Sequence, residues 1–251
     1  MQKPHFLTLS NGEKLAYHHH EGDGPGLIFF GGFMSDMTGT KAIALEQHAI
    51  QKNQAFTRFD YSGHGASDGQ FKDGTISRWH RDALAILDEV TNGPQIVIGS
   101  SMGGWLSLLC ALSRPERIRG LILIAPAPDF TERLMWPNFS AEERESLNTK
   151  GYIEQPSDYG DDPYIITKAL IEDGRNNLLL SHNIPLDIPI HILHGMQDSD
   201  VPWRLSLDLI EALTSNNVTL TLVKSGDHRL SETDDIARLL QSTDNLSAAV
   251  S

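Results

Sequence analysis

The sequence has no long apolar run, since no stretch approaches the roughly 20 apolar residues of a membrane-spanning helix. It therefore predicts no stable insertion into a membrane. Cysteine is almost absent: Cys110 is the single one in 251 residues, so no disulfide can form within the chain. A lone cysteine inside an apolar pattern is typical of a small core residue and of a reducing compartment.

Basic side chains are also few. Lys and Arg number 20 against 33 Asp and Glu, and the formal net charge at pH 7 is −13. Nucleic-acid binding depends on clustered cations, so this charge argues against a nucleic-acid partner. The N-terminal residues show neither the apolar block of a signal peptide nor an Arg-rich transit helix. We therefore expect a cytoplasmic protein.

Short apolar strand patterns alternate with helical patterns along most of the chain, after an N-terminal hairpin pattern around Asn11-Gly12. This order predicts an α/β fold with a mostly parallel, twisted sheet and helices on both faces. Residues 1–128 form the first part of the predicted core and residues 185–251 the second part. Residues 129–184 lack a strongly apolar strand and are interpreted as a small inserted lid.

One turn carries the strongest chemical signal. An apolar strand pattern ends in Gly99-Ser100-Ser101-Met102-Gly103, and a helical pattern follows. The spacing G-x-S-x-G between a strand and a helix is that of a nucleophile elbow, whose small flanking residues allow a sharp turn that exposes the serine hydroxyl. A plain glycine turn has the same composition, but acidic and histidine partners follow downstream. Ser101 is therefore the candidate nucleophile.

A serine hydroxyl needs a general base, and the base needs a carboxylate that fixes its tautomer. Asp198 and His228 each follow a predicted strand, as Ser101 does, and the carboxyl ends of parallel strands meet at one edge of a sheet. We expect His228 to be the base and Asp198 its partner. Asp200 and Asp227 are the alternative carboxylates, and the pattern H-G-x-x-D favours Asp198.

Two backbone N–H groups are candidates for stabilising the negative oxygen of the reaction intermediate. They belong to Met102, after the serine, and to Phe33, after the pair Gly31-Gly32 that ends another strand. His64 lies near the predicted site but precedes the serine in sequence. In folds with a nucleophile elbow the order along the chain is serine, acid, histidine, so we interpret His64 as structural.

The predicted lid contains helical patterns at residues 141–147 and 164–172. Its apolar side chains either line an acyl pocket or only seat the lid on the core; they are Leu134, Met135, Trp136 and Phe139. The run His18-His19-His20 does not predict a metal site, because neighbours in a strand point to opposite faces. The sequence implies no metal and no organic cofactor, since water suffices for deacylation.

The chain resembles the α/β-hydrolase family, and more narrowly a subfamily whose animal mitochondrial members are palmitoyl-protein thioesterases that also cleave acyl glucuronides. The matching segments are Phe59-Asp60-Tyr61-Ser62-Gly63, Gly99-Ser100-Ser101-Met102-Gly103-Gly104-Trp105, His194-Gly195-Met196-Gln197-Asp198, Val201-Pro202-Trp203 and Asp227-His228-Arg229. The resemblance extends over nearly the whole chain, except that no mitochondrial presequence is recognisable.

The resemblance implies a serine hydrolase whose substrates are small-molecule or acylated-protein thioesters or esters. The preference for thioesters rests on the resemblance alone, since a triad does not distinguish sulfur from oxygen leaving groups. A peptidase or a C–C hydrolase on the same scaffold is the alternative enzyme. A catalytically silent fold that binds ligands is the alternative outside enzymes, and the presence of Ser, Asp and His in the required order argues against it.

Overall fold

A computed structural model describes residues 3–155 and 163–250 of the chain. The strands, numbered in chain order, are β1 His5–Thr8, β2 Lys14–His20, β3 Asp23–Phe30, β4 Gln54–Phe59, β5 Gln95–Ser100, β6 Ile118–Ile124, β7 Tyr152–Gln155, β8 Tyr164–Thr167, β9 Ile190–Gly195 and β10 Val218–Val223. The helices are α1 Thr40–Gln51, α2 Ile76–Glu89, α3 Met102–Ser113, the single turn α4 Trp136–Asn138, α5 Ala141–Thr149, α6 Lys168–Arg175, α7 Arg204–Ala212 and α8 Thr233–Val250.

The main sheet has eight strands in the order β1-β2-β4-β3-β5-β6-β9-β10. The β1–β2 hairpin and the β2–β4 pair are antiparallel, and every pair from β4 onward is parallel. The α/β prediction with a mostly parallel sheet is therefore confirmed. In the described residues, no helix is long and apolar enough to cross a membrane.

Helices cover both faces of this sheet, as predicted. Val97 of β5 belongs to the core cluster that contains Trp79 of α2 and Trp105 of α3. Its neighbours Ile96 and Ile98 belong to the opposite cluster, which contains residues of α1 and α8. Successive side chains of a strand point to opposite faces, so a central strand must be apolar throughout. This is why β5 has a continuous apolar run in the sequence.

In the sequence, the helical pattern that begins at residue 233 is clear only to about residue 241, whereas helix α8 continues to Val250. Its extra turns are held by tertiary contacts. Leu246 is fully buried in the core, and Asp244 Oδ1 lies 2.7 Å from Nε2 of His48 on α1. Polar residues dominate the sequence of these turns, so the pattern alone did not predict them.

In the described part of the segment between β6 and β9, two strands occur that the sequence did not predict. The helix expected over residues 164–172 begins at Lys168, because Tyr164–Thr167 form strand β8, antiparallel to β7. Ile166 pairs with Ile153, and both are buried in the core. β-branched residues favour this pleated arrangement over a helix. Thr167 then caps α6, accepting a hydrogen bond from the N–H of Leu170 at 3.1 Å.

Candidate active site

Ser101 occupies a strained turn between β5 and α3. Its backbone has φ 56° and ψ −117°, in the left-handed half of conformational space that non-glycine residues rarely adopt. Glycine is required on both sides of it. A Cβ atom on Gly99 would lie 2.3 Å from Oγ of Ser107, and one on Gly103 would lie 2.2 Å from the carbonyl oxygen of Phe30. The local sequence thus permits close packing that holds the serine in this conformation.

The structure brings together the three residues that the sequence predicted for the triad. Nε2 of His228 lies 3.1 Å from Oγ of Ser101, and Nδ1 of His228 lies 2.7 Å from Oδ2 of Asp198. The three residues follow β5, β9 and β10, whose carboxyl ends meet at one edge of the sheet. The Asp198 side chain is fully buried, whereas that of His228 is 19 % exposed and can reach a substrate.

The hydrogen bonds fix the tautomer of His228. An ionised carboxylate only accepts hydrogen bonds, so the ring proton lies on Nδ1, facing Asp198. Nε2 is then unprotonated and faces the hydroxyl of Ser101. This arrangement can accept a proton from the serine hydroxyl, as a general base requires.

Asp198 is held in its ionised form. Burial acts to raise the pKa of its carboxyl group, but hydrogen bonds from His194 and His228 outweigh burial and lower this pKa below its usual range. Further donors point at the other oxygen, since Oδ1 accepts from the backbone N–H groups of Asp200 at 2.9 Å and Val201 at 2.8 Å. Four donors on two oxygens thus keep the carboxylate charged and fixed.

The alternative carboxylates have other partners. Oδ1 of Asp227 accepts the backbone N–H of Leu230 at 2.9 Å, which shapes the turn after His228. Asp200 is exposed, and its Oδ1 lies 3.2 Å from Oγ of Ser199. The hydrogen bond from His228 therefore goes to Asp198.

The two predicted N–H donors lie around the serine. A Cβ atom on Gly32 would be only 3.4 Å from Cβ of Ser101, so the backbone before Phe33 passes close to the serine. Met102 is the first residue of α3, where the backbone N–H has no carbonyl partner within the helix. Phe33 and Met102 line the same cavity as Ser101.

A cavity of about 710 Å³ opens above Ser101. The segment between β6 and β9 contributes mainly apolar side chains to its wall: Phe130, Leu134, Met135, Phe139 and Ile166. Polar side chains come from the residues after β3 and after His228, among them Ser35, Lys41 and Arg229. The wall therefore combines a large apolar area with a few polar groups, which is the usual composition of a small-molecule site.

Trp136 does not line this cavity, although the sequence suggested that it could. The guanidinium carbon of Arg175 lies 4.5 Å from the centre of its ring, and that of Arg144 lies 5.1 Å away. Phe139 packs edge-on against the same ring. Trp136 thus connects helices of the inserted segment to each other through cation–π contacts. The sequence could not show which side of the helix faces the cavity.

Two further histidines lie near the site: the sequence assigned His194 no role of its own and predicted only a structural role for His64. His194 is completely buried and its Nε2 lies 3.2 Å from Oδ2 of Asp198. His64 is 5 % exposed, and its Nε2 accepts the backbone N–H of Met34 at 3.2 Å. His194 belongs to the H-G-x-x-D pattern, so its proximity to Asp198 was open to sequence reasoning. No sequence signal linked His64 to Met34.

The described residues contain no cluster of three or more His, Cys, Asp or Glu side chains that could hold a metal ion. In the histidine run of β2, Nδ1 of His19 is instead 2.8 Å from Oγ1 of Thr57 on β4. Cys110 is buried, and burial raises the pKa of its thiol above its usual range. It has the environment of a structural core residue.

Serine hydrolases of the α/β-hydrolase class place their nucleophile at a turn of this kind, and this chain is one of them. It belongs to the family described as serine aminopeptidase, S33, whose sequence profile matches residues 27–234. It is 41 % identical to the mouse mitochondrial palmitoyl-protein thioesterase ABHD10, over 96 % of this chain and 81 % of that protein. The resemblance to this subfamily is therefore confirmed.

Comparison with solved structures supports the same family assignment. A putative hydrolase from Agrobacterium vitis S4 is 43 % identical and superposes with a TM-score of 0.93 over 98 % of each chain. Mouse α/β-hydrolase domain-containing protein 10 is 39 % identical, with a TM-score of 0.91 over 100 % of each chain. Similarity at this level extends over the inserted segment as well as the sheet.

The prediction of a cytoplasmic protein is wrong. The mouse relative and its counterparts in rat, orangutan, human and cattle are all named as mitochondrial proteins, and each match covers 96 % of this chain. The prediction had rested on the residue patterns near residue 1 and on the single cysteine.

Proposed function

We propose that this protein hydrolyses acyl thioesters and carboxylic esters through a covalent acyl-enzyme on Ser101. The observation that carries the proposal is the continuous hydrogen-bonded path from Ser101 through His228 to the buried Asp198. This path opens into a cavity with a largely apolar wall. The preference for a thioester comes from the mammalian relatives, which are named palmitoyl-protein thioesterases.

In the proposed reaction, Oγ of Ser101 attacks the acyl carbon while Nε2 of His228 takes the hydroxyl proton. Asp198 stabilises the imidazolium that results. The N–H groups of Phe33 and Met102 donate to the negative oxygen of the tetrahedral intermediate, and donors of this type contribute several kcal/mol in comparable sites. His228 then protonates the departing thiol or alcohol, and a water molecule, activated in the same way, releases the acid.

Residues 129–184 are proposed to act as a lid that contacts the acyl chain. Leu134 and Met135 support this, since both line the cavity from a segment inserted between neighbouring strands β6 and β9. Each buried methylene group contributes about 0.8 kcal/mol to binding. Binding of the acyl chain should therefore strengthen with its length until the apolar wall is covered.

The test measures turnover of matched acyl thioesters and oxyesters over a range of chain lengths. Wild type is compared with Ser101→Ala and with a matched control, Ser100→Ala, which removes the neighbouring hydroxyl. We expect thioester turnover that rises with chain length, is abolished in Ser101→Ala and persists in Ser100→Ala. A preference for short oxyesters would reject depalmitoylation and keep the nucleophile, whereas activity in Ser101→Ala would reject the nucleophile.

Two further measurements distinguish the proposed hydrolase from a silent ligand-binding fold and from a peptidase. A fluorophosphonate probe should label wild type and Ser100→Ala but not Ser101→Ala, and a silent ligand-binding fold would remain unlabelled. Because the family is described by an aminopeptidase activity, aminoacyl arylamides belong in the same assay. Turnover of these amides above that of every ester would favour the peptidase.

A further inference from the structure

The backbone after β3, residues 32–37, is attached at two points to the loop that follows β4. The N–H of Met34 donates to Nε2 of His64 at 3.2 Å, and the N–H of Met37 donates to Oδ1 of Asp60 at 2.7 Å. The proposed donor Phe33 directly precedes the first attachment. The position of its N–H relative to Ser101 therefore depends on groups that do not themselves touch the reacting atoms.

His64 is built to accept this hydrogen bond. Its Nδ1 lies 3.3 Å from the carbonyl oxygen of Ser62, which can only accept, so the ring proton lies on Nδ1 and Nε2 is left as an acceptor. Burial lowers the pKa of His64 to about 4, which keeps the ring neutral near pH 7. Protonation would place a second N–H opposite that of Met34.

Met34 needs such an external contact. Its φ of 54° is in the left-handed region, where a residue with a long side chain costs about 1 kcal/mol or more. Met34 as a whole is 42 % exposed, so little packing holds it in place. The hydrogen bond to His64 offsets part of this strain.

A purely space-filling role for His64 is the simpler interpretation. The ring has edge-on contacts with Phe71 at 5.2 Å and Trp79 at 5.3 Å, and both rings also pack against Phe33. Packing of this kind would stabilise the fold whether or not Nε2 accepts a hydrogen bond. The two roles lead to different expectations. Only a hydrogen-bonding role predicts that turnover falls when an apolar residue of similar size replaces His64 and is retained when the replacement is a polar acceptor.

We propose that His64 is a positioning residue for transition-state stabilisation, which fixes the Phe33 N–H through its hydrogen bond from Met34. The inference rests on the proposed function, since it assumes that Phe33 is an oxyanion donor. Its catalytic effect should appear in kcat and not in KM, because the oxyanion exists only after the serine has attacked.

The test compares His64→Leu, which removes the acceptor, with His64→Gln, whose amide oxygen can accept in its place. Complete loss of one oxyanion donor costs about 10²–10³ in kcat, so a displaced donor should cost about 10–100-fold in His64→Leu. KM should stay near its wild-type value, and affinity for an acyl trifluoromethyl ketone should fall by the same factor as kcat. His64→Gln should recover most of both losses.

The matched control is His191→Leu on β9, which deletes another partly buried histidine whose Nδ1 lies 2.9 Å from Oγ of Ser242. It should lower the melting temperature without changing kcat. Equal kcat losses in His64→Leu and His64→Gln, or a wild-type kcat in a folded His64→Leu, would overturn the inference while leaving Ser101 as nucleophile. Turnover that survives in Ser101→Ala would instead overturn the proposed function itself.

Discussion

Nε2 of His194 lies 3.2 Å from Oδ2 of Asp198, the same oxygen that Nδ1 of His228 contacts at 2.7 Å. Nε2 also lies 3.0 Å from the carbonyl oxygen of Val201. Both neighbours are acceptors, so Nε2 carries the ring proton. Nδ1 then accepts the hydroxyl of the buried Ser206 at 2.7 Å. Ser206 and His194 thus extend the hydrogen-bond chain of the triad into the core, and this chain orients Asp198.

The first prediction concerns this chain. His194→Leu removes a donor from a buried carboxylate, so we expect the free energy of unfolding to fall by about 2 kcal/mol. A misplaced Asp198 should also lower kcat by roughly tenfold. His194→Gln, whose amide nitrogen can replace Nε2, should lose less of both. Urea unfolding and steady-state kinetics measure the two quantities, and unchanged kcat in both variants would show that His194 only stabilises the fold.

The second prediction concerns the identity of the acid. Asp198→Asn should reduce kcat by about 10⁴, because an amide no longer holds the required tautomer of His228. Asp200→Asn, two residues along the same loop, serves as the matched control and should keep kcat within about tenfold of wild type, since only its exposed side chain changes. The reverse order of the two losses would transfer the role to Asp200.

The third prediction concerns acid stability. The pKa of His64 is lowered from 6.5 to about 4 in the folded chain, so between these values the unfolded chain binds more protons. Stability contributed by neutral His64 is present above about pH 6.5 and is lost as pH falls toward about 4.

His64→Gln cannot take up this proton. Between about pH 6.5 and about pH 4.5 its free energy of unfolding should therefore fall by about 2 kcal/mol less than that of wild type. Urea unfolding at a series of pH values measures the difference, in which the contributions of the other titrating groups cancel. Parallel curves for the two proteins would contradict a depressed His64 pKa.

The fourth prediction concerns the elbow. Gly103→Ala places a methyl group 2.2 Å from the carbonyl oxygen of Phe30, a backbone atom that cannot move without shifting β3. Overpacking of this kind costs about 1–3 kcal/mol or more, and we expect a lower melting temperature together with lost turnover. Gly93→Ala is the control for glycine loss in general, since no atom lies within 4 Å of its added Cβ, although its φ of 64° adds some strain. Equal melting temperatures for the two variants would contradict steric exclusion at the elbow.

The sheet and the order of its helices could be predicted because their signals are local. β5 is apolar on both faces and ends in Gly99-Ser100, and Thr75 caps α2, accepting from the N–H of Arg78 at 3.2 Å. The parts that the sequence could not show depend on distant partners. Strand β8 requires β7, and the last turns of α8 require α1.

The same distinction between local signals and distant partners applies to the residues of the candidate site. Ser101, Asp198 and His228 could be predicted because each residue type is tied to a strand end and a known order. The contact of His64 with Met34 joins loops that are 30 residues apart and follow neighbouring strands, and no pattern in the sequence records it. The same is true of the Arg144 and Arg175 contacts that turn Trp136 away from the cavity.

β6 and β9 are direct neighbours in the sheet, with Ile122 opposite His191, although residues 129–184 separate them in the chain. β6 and β9 are parallel, so their pairing does not bring the ends of that segment together; instead the carboxylate of Asp129 accepts the backbone N–H groups of Leu179 and Leu180, each at 2.8 Å, which holds the two ends close to each other. Its length and sequence can change without altering any strand pairing of the eight-stranded sheet, and the serine turn and the histidine loop lie outside it. Substrate range is thus modular in this architecture: a segment grafted from another hydrolase could change which acyl groups bind while the triad distances stay fixed.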